Sequence, residues 1–439
     1  MVGWLPKTLA QSVKQGVEMR TVSWLLCSLI GAIGVTGASA QAASTAVAVT
    51  CEAAWDKAKV YTGGQRALHN GVRYEAKWWT LGENPAQSNT WGVWKVVAPC
   101  AEAPVPLVEQ INAGGRLQVD SASRVSYSWP GTYFEGRFRG TGVGLALDDA
   151  QGVYNVEIDG KPWPKITKPG KTTYWLSGLP AGEHTVRLSL RSELTGTPGS
   201  FEGLVPMAGG EILKPAAAPT RQIEFIGDSY TAGLGTESGK KDCTEAEIAP
   251  YSNADASFGA LTARHYRASY QLNGYSGLGM VRNYGGNIPN VNYRTYYDRA
   301  LTGVTGNVWQ NPGNWKPQLV VVGLGINDFS TPVATGEAYT AETLRTGYKT
   351  AYRGFINKLR AQYGDAHVVV SATYLWPDNK LQEVAQEVVA EATAAGDRKI
   401  SYFYYDGLDS MACGWHPSVK DHQAISAKLI SQIDSLGIW

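Results

Sequence analysis

The chain is predicted to be a multidomain protein in which a small β-rich module and a β-sandwich precede an α/β domain with a parallel sheet. Three observations carry this. Residues 51–100 are aromatic and broken by glycine turns, and residues 107–214 alternate apolar with polar positions and show almost no helical periodicity. From residue 221 onward, buried-looking strands alternate with helical stretches, which is the pattern of a parallel sheet covered on both faces. At 439 residues there is enough chain for two or three cores. The 39 basic and 38 acidic residues nearly cancel, which argues against nucleic acid as a partner.

The amino terminus is expected to be a targeting segment, residues 1–40. Arg20 precedes an apolar run at 22–35, then Ala38-Ser39-Ala40 and Gln41 offer a small-residue cleavage site. The run is too short to cross a bilayer comfortably, so the mature protein is expected to be secreted (extracellular or periplasmic) with no membrane partner. An uncleaved anchor is the competing reading, and Met19 is an alternative start. Cys27 follows Leu26 and lacks the small residue a lipoprotein site needs. Four cysteines remain, which allow three pairings. Cys51 and Cys100 bracket one compact segment and are paired here, leaving Cys243 with Cys413. No Cys-x-x-Cys or clustered His supports a metal site instead.

The first block, 51–100, holds Trp55, Tyr61, Tyr74, Trp78, Trp79, Trp91 and Trp94. Gly63-Gly64 and Asn70-Gly71 mark its turns, and 72–79 reads as a strand. Alternation along that strand would put Trp78 and Trp79 on opposite faces, one of them in the core. A joint at 99–106 leads to the second block, 107–214, with alternating runs at 124–129, 154–158 and 184–190. Asp159-Gly160 and Pro180-Ala181-Gly182 are its turns, as in a β-sandwich. Residues 214–219 read as a linker. The third block, 221–439, has expected strands at 223–226, 319–322, 367–371 and 400–404, with helices at 341–362 and 382–394.

Chemistry concentrates at strand ends of this third block, where parallel sheets place their ligands. Phe225-Ile226-Gly227-Asp228-Ser229-Tyr230-Thr231 presents a Ser on a tight turn after a strand. Gly325-Ile326-Asn327-Asp328 follows another strand, and Trp415-His416-Pro417-Ser418 stands before a late helix. A hydroxyl becomes a useful nucleophile when a base takes its proton, and His suits that role near neutral pH. The oxyanion formed on an ester carbonyl needs donors fixed in advance. The Ser229 amide, the Asn327 side chain and an amide of the turn 274–279, with Gly277 favoured, are the candidates. Asp228 and Asp328 are assigned to bracing turns. His69, His184, His265, His367 and His422 are assigned structural or solvated roles, His422 being the nearest rival to His416. Trp309, Trp315 and Trp376 are assigned to core packing over a sugar cleft. No isolated carboxylate pair points to glycoside hydrolysis.

These motifs resemble the SGNH (GDSL-type) hydrolases. Val125-Ser126-Tyr127-Ser128-Trp129-Pro130-Gly131, Phe138-Arg139-Gly140-Thr141 and Ile158-Asp159-Gly160 extend the likeness. A jelly-roll with these features ahead of an SGNH domain is similar to carbohydrate esterase family 2, whose members deacetylate plant polysaccharides. The resemblance implies Ser229 as nucleophile, His416 as base, and Gly277 and Asn327 as oxyanion donors, with no cofactor. Such enzymes usually carry an Asp three residues before the His, where this chain has Cys413. The family includes Ser-His dyads whose base is oriented by a backbone carbonyl, and this chain looks like one. The alternative is that Asp406 or Asp409 supplies the acid.

Residues 51–100 resemble the chitin-binding carbohydrate-binding modules of family 5/12, through Trp55, Tyr61-Thr62-Gly63-Gly64, the run 74–80, Gly82-Glu83 and Trp94. Sugar faces stack on exposed rings, so Trp78 and, by preference, Trp79 are the expected binders. The expected function is deacetylation of xylan or glucomannan, with chitin or cellulose as an anchor. A binding protein with an inert esterase domain, and a lipase or thioesterase, are the alternatives.

Overall fold

The computed structural model describes residues 52–69, 72–99 and 107–439, which fall into two compact units, 52–99 and 107–439. The expected targeting segment 1–40 and the Cys51–Cys100 pair lie outside the described residues.

In the smaller unit, Val72–Ala76 is the centre of a three-stranded antiparallel sheet with Arg66–His69 and Trp94–Pro99 on its flanks. Its core is Tyr61, Ala67, Tyr74, Ala76, Val93 and Trp94. The Trp94 indole also donates to the Glu83 carbonyl at 2.8 Å. Trp78 and Trp79 are both exposed, by 52% and 61%, which corrects the expectation that one is buried. The strand ends at Ala76, and the bend at Lys77 and Trp78 breaks the alternation that would have turned one ring inward. Trp91, on a turn held by the Asn89 side chain, is 88% exposed.

In the larger unit, residues 107–214 form a nine-stranded sheet around one apolar core. Its spine is two long antiparallel strands, Tyr133–Asp149 and Gly170–Leu190. Core-facing residues along the first are Phe134 and Phe138, then Val143, Leu145 and Leu147. The inward parity therefore flips across Gly140, where the partner strand also shifts register between Ser177 and Gly182. Each long strand thus lines the core with both of its halves.

The rest is an α/β layer structure. Strands β1 (Gln222–Gly227), β2 (Ser269–Gly274), β3 (Leu319–Gly323), β4 (His367–Thr373) and β5 (Ile400–Tyr405) are all parallel, in the order β2-β1-β3-β4-β5. Helices α1 (Phe258–His265) and α4 (Val419–Leu436) pack on one face. Helices α2 (Ala341–Tyr363) and α3 (Lys380–Ala394) pack on the other. Strand β2 escapes the sequence reading because Gln271 and Asn273 interrupt its apolar run, yet both are buried.

Asn273 belongs to a buried polar network that joins this edge of the sheet to the sandwich. Asn273 donates to the Glu224 carboxylate at 2.6 Å, and Glu224 is paired with Arg116 of the sandwich at 3.0 Å. The Arg116 guanidinium lies 4.3 Å from the Tyr297 ring and 4.8 Å from the Trp309 ring. Arg187 with Asp255, and Arg191 with Glu237, add two further ion pairs between the two layers. Trp129 donates its indole N–H to the Arg299 carbonyl at 3.0 Å.

Candidate active site

Strand β1 delivers the chain to Gly227, where any side chain would collide with Thr231 and with the Gly323 carbonyl. The backbone then turns at Asp228, whose side chain caps the single helical turn Ser229–Ala232 by accepting from Tyr230 N at 3.1 Å. Ser229 is thereby held at the carboxyl end of the central strand.

His416 reaches it from the loop between β5 and α4. Its Nε2 lies 2.8 Å from Ser229 Oγ, and its Nδ1 lies 2.7 Å from the Cys413 carbonyl oxygen. A carbonyl can only accept, so Nδ1 carries the hydrogen and Nε2 presents its lone pair to the serine hydroxyl. Burial lowers the His416 pKa and keeps the ring in that neutral form. The loop is fastened from several sides. Cys413 is disulfide-bonded to Cys243, and Gly414 N donates to the Lys241 carbonyl at 2.7 Å. Asp421, at the start of α4, accepts from the amides of Asp409, Ser410 and Ser418.

Neither carboxylate expected as an alternative third triad member is bonded to His416. Asp409 accepts from Ser418 Oγ and Met411 N, each at 3.0 Å. Asp406 pairs with Lys428 at 3.2 Å. His422 is buried in the layer between α1 and α4, accepting from Phe258 N at 3.2 Å, and burial pushes it down to about 3.

The amides of Ser229 and Gly277 have no acceptor among the described residues. Gly277 adopts φ +79°, a conformation that glycine enters without strain. Asn327 lies after β3, its Nδ2 donating to the Leu278 carbonyl at 2.9 Å and standing 3.3 Å from Asp228 Oδ2. Asp328 accepts from three successive amides, Met280, Val281 and Arg282, at 2.8 to 2.9 Å. It gathers the loop that follows Gly277. Burial raises Asp228 to about 7 and Asp328 to about 6, the three amides opposing the rise at Asp328.

Two features of this region were not assigned from sequence, and a third was assigned otherwise. Glu193, from the sandwich, accepts from Ser276 N. Trp415 beside His416 is 65% exposed, with Lys241 Nζ 3.4 Å from the ring centre. Trp376, assigned to the core, is instead 71% exposed, on a turn beyond the end of β4. Trp309 and Trp315 are buried. Among the described residues no group of three or more His, Cys, Asp or Glu is placed to hold a metal ion, and no helix is long and apolar enough to cross a membrane.

Three family descriptions match this chain: carbohydrate-binding module family 5/12 over 54–95, carbohydrate esterase 2 N-terminal over 113–215, and the GDSL-like lipase/acylhydrolase family over 225–424. An acetylxylan esterase / glucomannan deacetylase of Cellvibrio japonicus is 37% identical over 349 residues, 76% of this chain and 93% of the relative. A solved carbohydrate esterase is similar at 35% identity and TM-score 0.70, covering 75% of this chain and 98% of its own. A family two carbohydrate esterase from Clostridium thermocellum, solved in complex with cellohexaose, is similar at 29% identity and TM-score 0.66. That likeness covers 75% of this chain and all of the other (100%).

Proposed function

The chain belongs to carbohydrate esterase family 2 and is a carboxylic ester hydrolase of polysaccharides carrying a carbohydrate-binding module; from that premise we propose that it removes O-acetyl groups from xylan or glucomannan through Ser229 and His416. The observation that carries the mechanism is the relay from Ser229 Oγ through the His416 ring to the Cys413 carbonyl.

In the first step Ser229 Oγ attacks the acetyl carbonyl carbon while its proton passes to His416 Nε2. The carbonyl oxygen becomes an oxyanion, met by the amides of Ser229 and Gly277, which have no acceptor among the described residues, and by the Asn327 side chain. For Asn327 to join, its Nδ2 turns one hydrogen from Asp228 toward the oxyanion while keeping the bond to Leu278. The carbon–oxygen bond to the sugar then breaks, and His416 returns the proton to the departing alkoxide. Water, deprotonated by the same ring, hydrolyses acetyl-Ser229 to release acetate. The Cys413 carbonyl holds the imidazolium through both steps without a full negative charge.

The xylan and glucomannan assignment is supported by the Cellvibrio relative, and a sugar chain as ligand by the neighbour complexed with cellohexaose. Chitin or cellulose is the proposed anchor of the small unit, through the exposed Trp78 and Trp79. Export is supported by the disulfide and by the targeting segment expected at 1–40. The test is acetate release by residues 41–439 from acetylated xylan and glucomannan, beside Ser229→Ala. Loss in the variant is expected, with the ratio between polymers naming the substrate; turnover retained by Ser229→Ala would sink the mechanism.

A further inference from the structure

Glu193 belongs to the sandwich, on the connection between Gly170–Leu190 and Gly199–Pro206. Its backbone is fixed on both sides, Arg191 N donating to the Val153 carbonyl at 2.8 Å and Leu194 N to the Ser128 carbonyl at 2.9 Å. From that rigid point the side chain leaves its own layer, and its two oxygens stand 3.2 and 3.3 Å from Ser276 N. No Lys, Arg or His pairs with this carboxyl among the described residues, and burial pushes it up to about 7. A desolvated carboxyl without a cation is a poor way to hold two layers together. Arg116, Arg187 and Arg191 already do that with paired charges.

What Glu193 does reach is the turn before Gly277. The Ser276 amide is anchored to Glu193, and the Gly277 carbonyl is anchored by accepting from Tyr284 N at 3.0 Å. Between these two fixed points one amide, that of Gly277, has no acceptor among the described residues. We propose that Glu193 is a positioning residue for the esterase, holding the Ser276 peptide so that the Gly277 N–H faces the carbonyl bound to Ser229. The inference rests on Gly277 and Asn327 being the oxyanion donors. The sandwich then contributes to turnover as well as to the fold.

The experiment is steady-state kinetics of the mature chain on p-nitrophenyl acetate and on acetylated xylan. For Glu193→Ala, kcat is expected to fall about tenfold on both substrates with KM nearly unchanged, because the oxyanion forms in either reaction. Glu193→Gln keeps a carbonyl acceptor for Ser276 and is expected to recover most of that loss. If the alanine variant melts below the assay temperature, Glu193→Met, which keeps the volume and removes the acceptor, takes its place. Unchanged kcat, or a raised KM confined to xylan, would overturn the proposal, the second by making Glu193 a sugar contact. A glutamine variant as slow as the alanine one would overturn it too. Asn327→Ala separates the two levels. If it also turns over like the wild type, the oxyanion assignment fails; if it alone is slow, only the role of Glu193 fails.

Discussion

The carbonyl oxygen of Cys413 lies 2.7 Å from Nδ1 of His416, where a triad would place a carboxylate. The Cys413 side chain points elsewhere, into the disulfide with Cys243. One residue thus sets the tautomer of His416 with its backbone and ties down the loop with its sulfur. A carbonyl has no net charge, so it orients the ring while stabilising imidazolium less than an aspartate would.

Reduction should therefore impair both folding and turnover. The disulfide closes a loop with a sequence separation of 170, so opening it is expected to cost ~3–5 kcal/mol of stability. Cys243→Ser should lower the denaturant midpoint and also kcat, since Cys413 loses its tether. A variant with reduced stability but full kcat would show that the loop does not need the bond to hold His416.

The acid limb of the reaction should sit low. A protonated His416 cannot take the serine proton, and burial lowers its pKa, so the neutral form persists below the ordinary value of about 6.5. The midpoint of the acid limb that belongs to His416 is therefore expected below that ordinary value. The imidazole proton shifts of His416 identify the titrating group against Asp228 and Glu193. A His416 midpoint above about 6.5 would contradict the burial argument.

Asn327→Ala should reduce kcat by about 10²–10³, or ~2.7–4 kcal/mol, with a smaller effect on KM. That split in kinetic constants is the signature of a donor used in the transition state. An equal change in KM alone would make Asn327 a ground-state contact.

In the small unit, burial separates two kinds of tryptophan. Replacing Trp78, Trp79 or Trp91 by Ala should weaken retention on chitin or cellulose by about tenfold per binding ring, ~1.4 kcal/mol, and leave p-nitrophenyl acetate turnover alone. Trp94→Ala empties the core and removes the donor to Glu83, so it should cost ~3–5 kcal/mol of that unit's stability. Polymer binding by titration and thermal melting tell the two apart.

Breaking the buried pair between the layers should be costly. Arg116→Met leaves the Glu224 carboxylate without its cation, an expected loss of ~3–5 kcal/mol by denaturant unfolding. A change within about 0.5 kcal/mol would mean the pair contributes little to holding the sandwich on the sheet.

The turns at Ser229 and Asn327 are legible because a strand followed by a Gly turn marks each in the chain, and the His416 loop because it stands before a late helix. Helices 341–363 and 380–394 lie close to their expected bounds, since long amphipathic runs signal themselves. Strand β2 is hidden in the sequence because polar Gln271 and Asn273 interrupt its apolar run, although the fold buries both. Alternation does not place Trp78 and Trp79, because the strand ends at Ala76 and the chain bends there. The sequence by itself determined the family and the order of layers, and it singled out Ser229, Asn327 and His416 as candidates for ester chemistry. Tertiary structure decided which oxygen orients His416 and which carboxyl reaches the Gly277 turn. Every residue has a carbonyl, so nothing in the letter Cys413 announces its role, and Glu193 meets Ser276 only through a contact between layers. Identity is written locally, whereas a hydrogen bond to a backbone group depends on where the fold carries two distant segments.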